Sequence, residues 1–236
     1  IEKGLATLTR TEQREVLDLA AGTDRLIVSM RHLVEALGHP DYTRDAKMWF
    51  NHTLFNPGET RLAFLCRMRA AGESGWRRTL MLTANPDGSD LRLRLPGPVV
   101  SHYDWRNDHE ILAWTSLEGR GTHFFLIDDR TGEAEVVGPD ALTQDGHCSY
   151  SHNGRWILTD TYPDPQTLER TLKVYVPAED REVIVGRYVS PPPFVGERRC
   201  DLHPRWSADD RTICFDSVHE GHRQVYLVDT PVVQLS

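Results

Sequence analysis

The chain has 236 residues, 39% of them hydrophobic and 26% charged, and 27 basic against 35 acidic side chains leave a formal charge of −8 with the histidines neutral. This composition excludes a disordered or collagen-like chain and a generally basic nucleic-acid binder, and it suits one large domain or two small ones with a real core. No run approaches the ~18 consecutive apolar residues of a membrane span, so no membrane partner is expected. Four cysteines, Cys66, Cys148, Cys200 and Cys214, form no C-x-x-C pair and no disulfide framework. Reduced thiols are the default, with a cytoplasmic location expected and the periplasm as the alternative. The opening Ile-Glu-Lys without a charged-then-apolar leader reads as a processed start or as a piece of a longer chain.

In chain order, the first 46 residues carry little strand alternation and one helical pattern near Asp24 to Leu37. From Lys47 onward one pattern recurs: a His, an aromatic three residues later, a polar turn, then a short apolar strand. It begins at His52 with Phe55, His102 with Trp105, His147 with Tyr150 and His203 with Trp206, spaced 45 to 56 residues apart. The turns NPGE, NDHE, HNGR and ADDR tolerate hairpin geometry, so each unit opens with two antiparallel strands. A third strand follows each pair, beginning at Thr79, Phe124, Leu172 and Gln224, and three of the four continue through a turn into a fourth. Four strands per 40 to 55 residues define a propeller blade, so the fold class is all-β. The expected division is 1–46 as a partial blade and connecting segment, then four blades at 47–97, 98–142, 143–197 and 198–236. A proline-rich insert, Tyr188 to Arg199, interrupts the third and fourth units.

The repeated His lies just before the first hairpin of its blade, on the innermost strand, and innermost strands line one channel. Equivalent imidazoles therefore converge, as either a structural pin or a metal and acid–base group. The symmetry breaks in the last unit, where Arg198-Arg199-Cys200-Asp201-Leu202-His203-Pro204-Arg205 places a thiol, a carboxylate, an imidazole and guanidiniums together. Cys200 and His203, with His147 from the neighbouring unit, read as ligands for a divalent cation. Asp160 could reach the same end of its blade, its alternative role being to form a turn. Arg77, Arg199 and Arg205 at a channel mouth would hold an anion, because guanidinium matches carboxylate in a bidentate manner. Cys66 and Cys214 read as buried packing thiols.

The His-x-x-aromatic units, the Gly146-His147 pair and the Cys200-x-x-His203-Pro204 stretch resemble oligogalacturonate lyases and related propeller-type polysaccharide lyases, over roughly Lys47 to Asp229. The resemblance implies the later part of a seven-bladed propeller that cleaves uronic-acid oligosaccharides by β-elimination with a divalent metal, usually manganese. His147 and His203 then match metal-binding histidines, His102 the base, and Arg77 an arginine assisting catalysis. Where the family pattern has Gln, this chain has Cys200, and where it has a further metal-binding His, this chain has Arg205; a thiolate would favour zinc over manganese. Arg199, Arg205, His52 and Tyr188 are the expected contacts to the acidic oligosaccharide, with Tyr188 also considered as the acid for the departing oxygen. The repeats are shared with TolB-like and WD40-like propellers, so a non-catalytic binding or scaffold module is the alternative. A serine-peptidase gate is disfavoured, because the chain has no Gly-x-Ser-x-Gly elbow.

Overall fold

The computed structural model describes residues 13–18, 22–44, 46–70 and 78–231, and no helix among them is long and apolar enough to cross a membrane. The chain forms two compact units, Ile1–Val100 with Ser116–Glu118, and Ser101–Thr115 with Gly119–Ser236.

In the first unit, β1 (Gln13–Asp18) pairs antiparallel with β2 (Thr23–Ser29). Ser29 then caps the short helix α1 (Met30–Ala36), its side chain accepting the His32 backbone N–H at 3.0 Å. The helix therefore begins later than the helical pattern suggests, because Thr23 to Ser29 is committed to pairing with β1. Met30, Leu33 and Val34, at helical spacing, are buried in one core with Met48, Phe50, Phe64, Cys66, Leu80 and Leu82. That core covers a four-stranded antiparallel meander, β3 (Ala46–Phe55), β4 (Leu62–Ala70), β5 (Arg78–Ala84) and β6 (Arg92–Leu95). Its first turn is fixed by Asn56, whose Oδ1 accepts the N–H groups of Thr60 and Arg61 at 2.8 and 2.9 Å. Gly88 closes the last hairpin with φ +84°, and a Cβ there would fall 2.1 Å from the Ile27 carbonyl oxygen, so only glycine fits.

The second unit repeats the meander. Its sheets are β7 (Val100–Trp105), β8 (Glu110–Leu117), β9 (Gly121–Asp128) and β10 (Ala134–Val136); then β11 (Cys148–Tyr150), β12 (Ile157–Asp160), β13 (Glu169–Val176) and β14 (Arg181–Val189). The last has three described strands, β15 (Arg205–Trp206), β16 (Thr212–Ser217) and β17 (Gln224–Asp229). Tandem antiparallel meanders of this kind are propeller blades, and the fold is an all-β β-propeller, as the repeats imply. The first of the four sheets begins at residue 46.

Central strands such as β12 are buried on both faces, whereas β16 and β17 alternate between more and less buried side chains. Leu158, Leu172, Val174, Ile213 and Phe215 form one core, while Val225 and Leu227 on β17 are 66% and 72% exposed. The same alternation leaves Cys214, between Ile213 and Phe215, only half-buried, whereas Cys66 is fully buried as expected. Replacing fully buried Leu158 by Ala is expected to cost about 2–5 kcal/mol in urea denaturation, against about 0.5 kcal/mol or less for Val225→Thr on the exposed face. Equal losses at the two positions would contradict this assignment of faces.

Candidate metal and acid–base site

Three of the four repeated histidines meet in the second unit. The ring centroids of His102 and His147 lie 4.1 Å apart, and those of His147 and His203 lie 3.8 Å apart. Each comes from the first strand of its blade or the segment leading into it, so the blade repeat is what brings residues distant in sequence together.

The rings are held from one side. The His147 backbone N–H donates to Asp160 Oδ1 at 2.7 Å, and His147 Nδ1 stands 2.9 Å from Asp160 Oδ2. An ionised carboxylate only accepts, so this contact suits the tautomer with the proton on Nδ1, and Nε2 is the ring nitrogen left for another partner. The same Asp160 Oδ2 accepts the His203 backbone N–H at 3.2 Å, and His203 Nδ1 lies 3.3 Å from the Asp201 carbonyl oxygen. His102 Nδ1 pairs with Asp145 Oδ1 at 2.9 Å, which directs its Nε2 away from that carboxylate. His203 adopts φ +42°, a left-handed conformation uncommon outside glycine. Burial, then repulsion from His147, lowers the pKa of His203.

Asp201 is the residue that sequence reasoning passed over. It is buried, its Oδ1 pairs with the buried Arg170 at 2.7 Å, and its Oδ2 pairs with Arg199 at 2.8 Å. Donor atoms of His147, Asp201 and His203 all lie within 4.8 Å of one another. Two imidazoles and a carboxylate make a donor set that a divalent first-row cation accepts. Asp145 was missed as well. Both lay within view in the chain, Asp145 two residues before His147 and Asp201 two before His203.

The other expected residues fall as follows. Asp160, 1% exposed, holds the His147 ring from its Nδ1 side and the His203 backbone, and is not among the clustered donor atoms of His147, Asp201 and His203. Cys200 is buried too, its Sγ turned onto the Asp201 carbonyl at 3.9 Å and its pKa raised by that burial, so Asp201 takes the place expected for the thiol. Arg199 lies over the Tyr162 ring at 5.2 Å, and the Tyr162 ring is 6.0 Å from that of His102. Arg205 folds onto its own backbone, donating to the carbonyls of His203 and Pro204 at 3.0 and 3.2 Å. Tyr188 packs against Phe215 at 4.6 Å and His219 at 5.1 Å, an aromatic cluster apart from the imidazoles, which removes it as a candidate acid. His52 belongs to the first unit, exposed on β3 with φ +50°. Arg77 lies outside the described residues.

No family model matches the sequence, and no curated protein matches it. Among solved structures, the chain is similar to an oligogalacturonate lyase in complex with manganese, with a TM-score of 0.68 and 19% identity over 96% of this chain and 57% of that one. An oligogalacturonate lyase from Vibrio parahaemolyticus gives 0.64 and 15% over 93% and 55%. A TolB structure from Agrobacterium tumefaciens gives 0.54 and 14% over 91% and 65%. These likenesses establish a propeller fold shared with lyases and TolB-like proteins, and the chain spans little more than half the length of the lyases it matches.

Two outcomes follow for the site. A Cβ on Gly146 would fall 1.8 Å from the Asp160 carbonyl oxygen and 2.9 Å from its Oδ1, so Gly146→Ala is expected to cost several kcal/mol, about 3 or more, and to shift the histidine NMR resonances. Unchanged stability and spectra would refute the close contact. Asp104, two residues beyond His102, has its pKa raised to about 7, chiefly by burial and against the pull of Arg205 and His152. The folded state thus binds the proton more tightly than the unfolded one, and the Asp104 contribution to stability falls as pH rises from about 4 to about 7. Asp104→Asn is expected to flatten that part of the stability profile, measured by thermal melting across this range; an unaltered slope would refute it.

Proposed function

We propose that this chain is part of a metal-dependent lyase that cleaves uronate-containing, oligogalacturonate-like oligosaccharides by β-elimination. The observation that carries this reading is the close, tilted clustering of three imidazoles from three blades, with the Nδ1 of His102 and of His147 held by Asp145 and Asp160. β-Elimination needs a base for the proton beside the carboxylate, positive charge for the enolate-like anion that develops, and an acid for the departing oxygen.

His102 is the base in this scheme. Asp145 fixes its Nδ1 proton, and the lone pair on Nε2 accepts the proton from the sugar carbon. Arg199, over the Tyr162 ring that also neighbours His102, would meet the uronate carboxylate through the N–H donors it does not give to Asp201. Arg77 keeps the assisting role that the family resemblance implies. His147 and His203, with Asp201, are the residues that would hold manganese or zinc. When bound, that cation would withdraw charge from the uronate carboxylate and make the neighbouring carbon more acidic.

A non-catalytic binding propeller is the second reading. The likeness to a TolB structure and the engagement of Asp201 by two guanidiniums favour it. One set of measurements separates the two. Under the lyase reading, the purified protein carries stoichiometric manganese or zinc that His147→Ala loses. It also generates ultraviolet-absorbing unsaturated uronate from oligogalacturonate, and His102→Ala slows this by about 10²–10⁴-fold. A metal-loaded protein that yields no such product from a panel of acidic oligosaccharides would leave the binding reading standing.

A further inference from the structure

A cavity of about 500 Å³ lies in the second unit, between the sheet β7–β10 and the sheet β11–β14. Small-molecule sites span about 300–1,000 Å³, so it could admit a ligand of one or two rings. Its lining residues follow the ends of β7 and β11 and the turns β11–β12 and β13–β14. His102 and His147 sit toward the other ends of β7 and β11, so at about 3.3 Å per residue roughly 10 Å of strand separates this cavity from the imidazoles. None of its residues takes part in the proposed elimination.

The chemistry of the lining is uneven. One wall is apolar, formed by Leu126, Val136, Val137 and Val176. The rim carries Arg106, Arg155 and Arg181 against a single acid, Glu179, in a protein whose net charge is −8. Arg181 is neutralised by Glu179 at 2.7 Å, and Arg106 is loosely paired with Glu110 at 3.4 Å. Arg155 has no ion-pair partner among the described residues. Two of these guanidiniums lie over aromatic rings, Arg106 over Tyr150 at 5.2 Å and Arg155 over Trp156 at 5.9 Å. That placement anchors each cation by cation–π attraction and leaves in-plane N–H donors for an anion. Tyr150 is 9% exposed and lines the cavity, and its hydroxyl makes no hydrogen bond to another described residue. This hydroxyl is not among the side-chain atoms sealed from solvent, so a guest in the cavity can reach it.

We propose that this cavity is a binding site for a small amphipathic organic anion, its carboxylate or phosphate held by Arg106 and Arg155 and its ring laid on the valine wall beside Tyr150. The site is independent of the lyase reading and stands or falls without it. Isothermal titration calorimetry with cinnamate, phenyl phosphate and the neutral cinnamyl alcohol tests it. One-to-one binding of cinnamate or phenyl phosphate is expected, with the preferred anion distinguishing carboxylate from phosphate. Arg155→Gln and Arg106→Gln should each weaken it about tenfold or more, the alcohol should bind correspondingly less well, and His147→Ala should leave binding unchanged. Arg106 and Arg155 are exposed, so both variants are expected to fold, which a circular dichroism melt verifies. The proposal is overturned if neither anion binds up to millimolar concentration, if the alcohol binds as well as the anions, or if binding survives both arginine substitutions.

Discussion

A buried carboxylate couples two blades of this protein. Asp160, at the end of β12, accepts the backbone N–H and the Nδ1 of His147 from its own blade, and with its second oxygen the backbone N–H of His203 from the segment entering the next. Burial makes this arrangement stringent, because a carboxylate 1% exposed must find its hydrogen bonds within the protein. The placement of both histidine backbones and the orientation of the His147 ring answer to it. Gly146 is the steric counterpart, since any side chain there would displace the segment that Asp160 grips.

Asp201 supplies a second layer of constraint from the last blade. Arg170, 2% exposed, and Arg199 hold its two oxygens, so its charge is balanced on both sides. Removing either partner from such a group is costly, whereas the pair itself adds little net stability. What the arrangement contributes is position: a carboxylate whose donor atoms lie within 4.8 Å of those of His147 and His203, with the more exposed of its two guanidiniums, Arg199, over Tyr162.

The blades were legible in the chain because each repeat satisfies local rules. A turn of Asn, Asp, Gly or Pro sits between alternating strands, and the same His opens every unit. Convergence of His102, His147 and His203 followed from that periodicity. The identities of the groups behind them did not, because hydrogen bonds such as His102 to Asp145 join residues 43 apart, and no spacing encodes them. Cys200 was drawn into the ligand set by its three-residue offset from His203. Yet the chain there is not a continuous strand; β15 begins only at Arg205, so the offset does not place the thiol beside the imidazole. Tyr188 was misplaced for a different reason. It begins the proline-rich segment in sequence but is still on β14, where strand alternation sends it into the aromatic core. The carboxylate at Asp201 stood in plain view within the same octapeptide, but nothing local reveals that Arg170, on another strand, would fix it.

The three-stranded last sheet has a consequence for how this protein behaves in solution. Among the described residues β17 borders one side of its sheet, and every second side chain along it, Val225 and Leu227, faces outward. Two apolar side chains two residues apart on one face of a strand form a short greasy stripe, which favours contact with another apolar surface over contact with water.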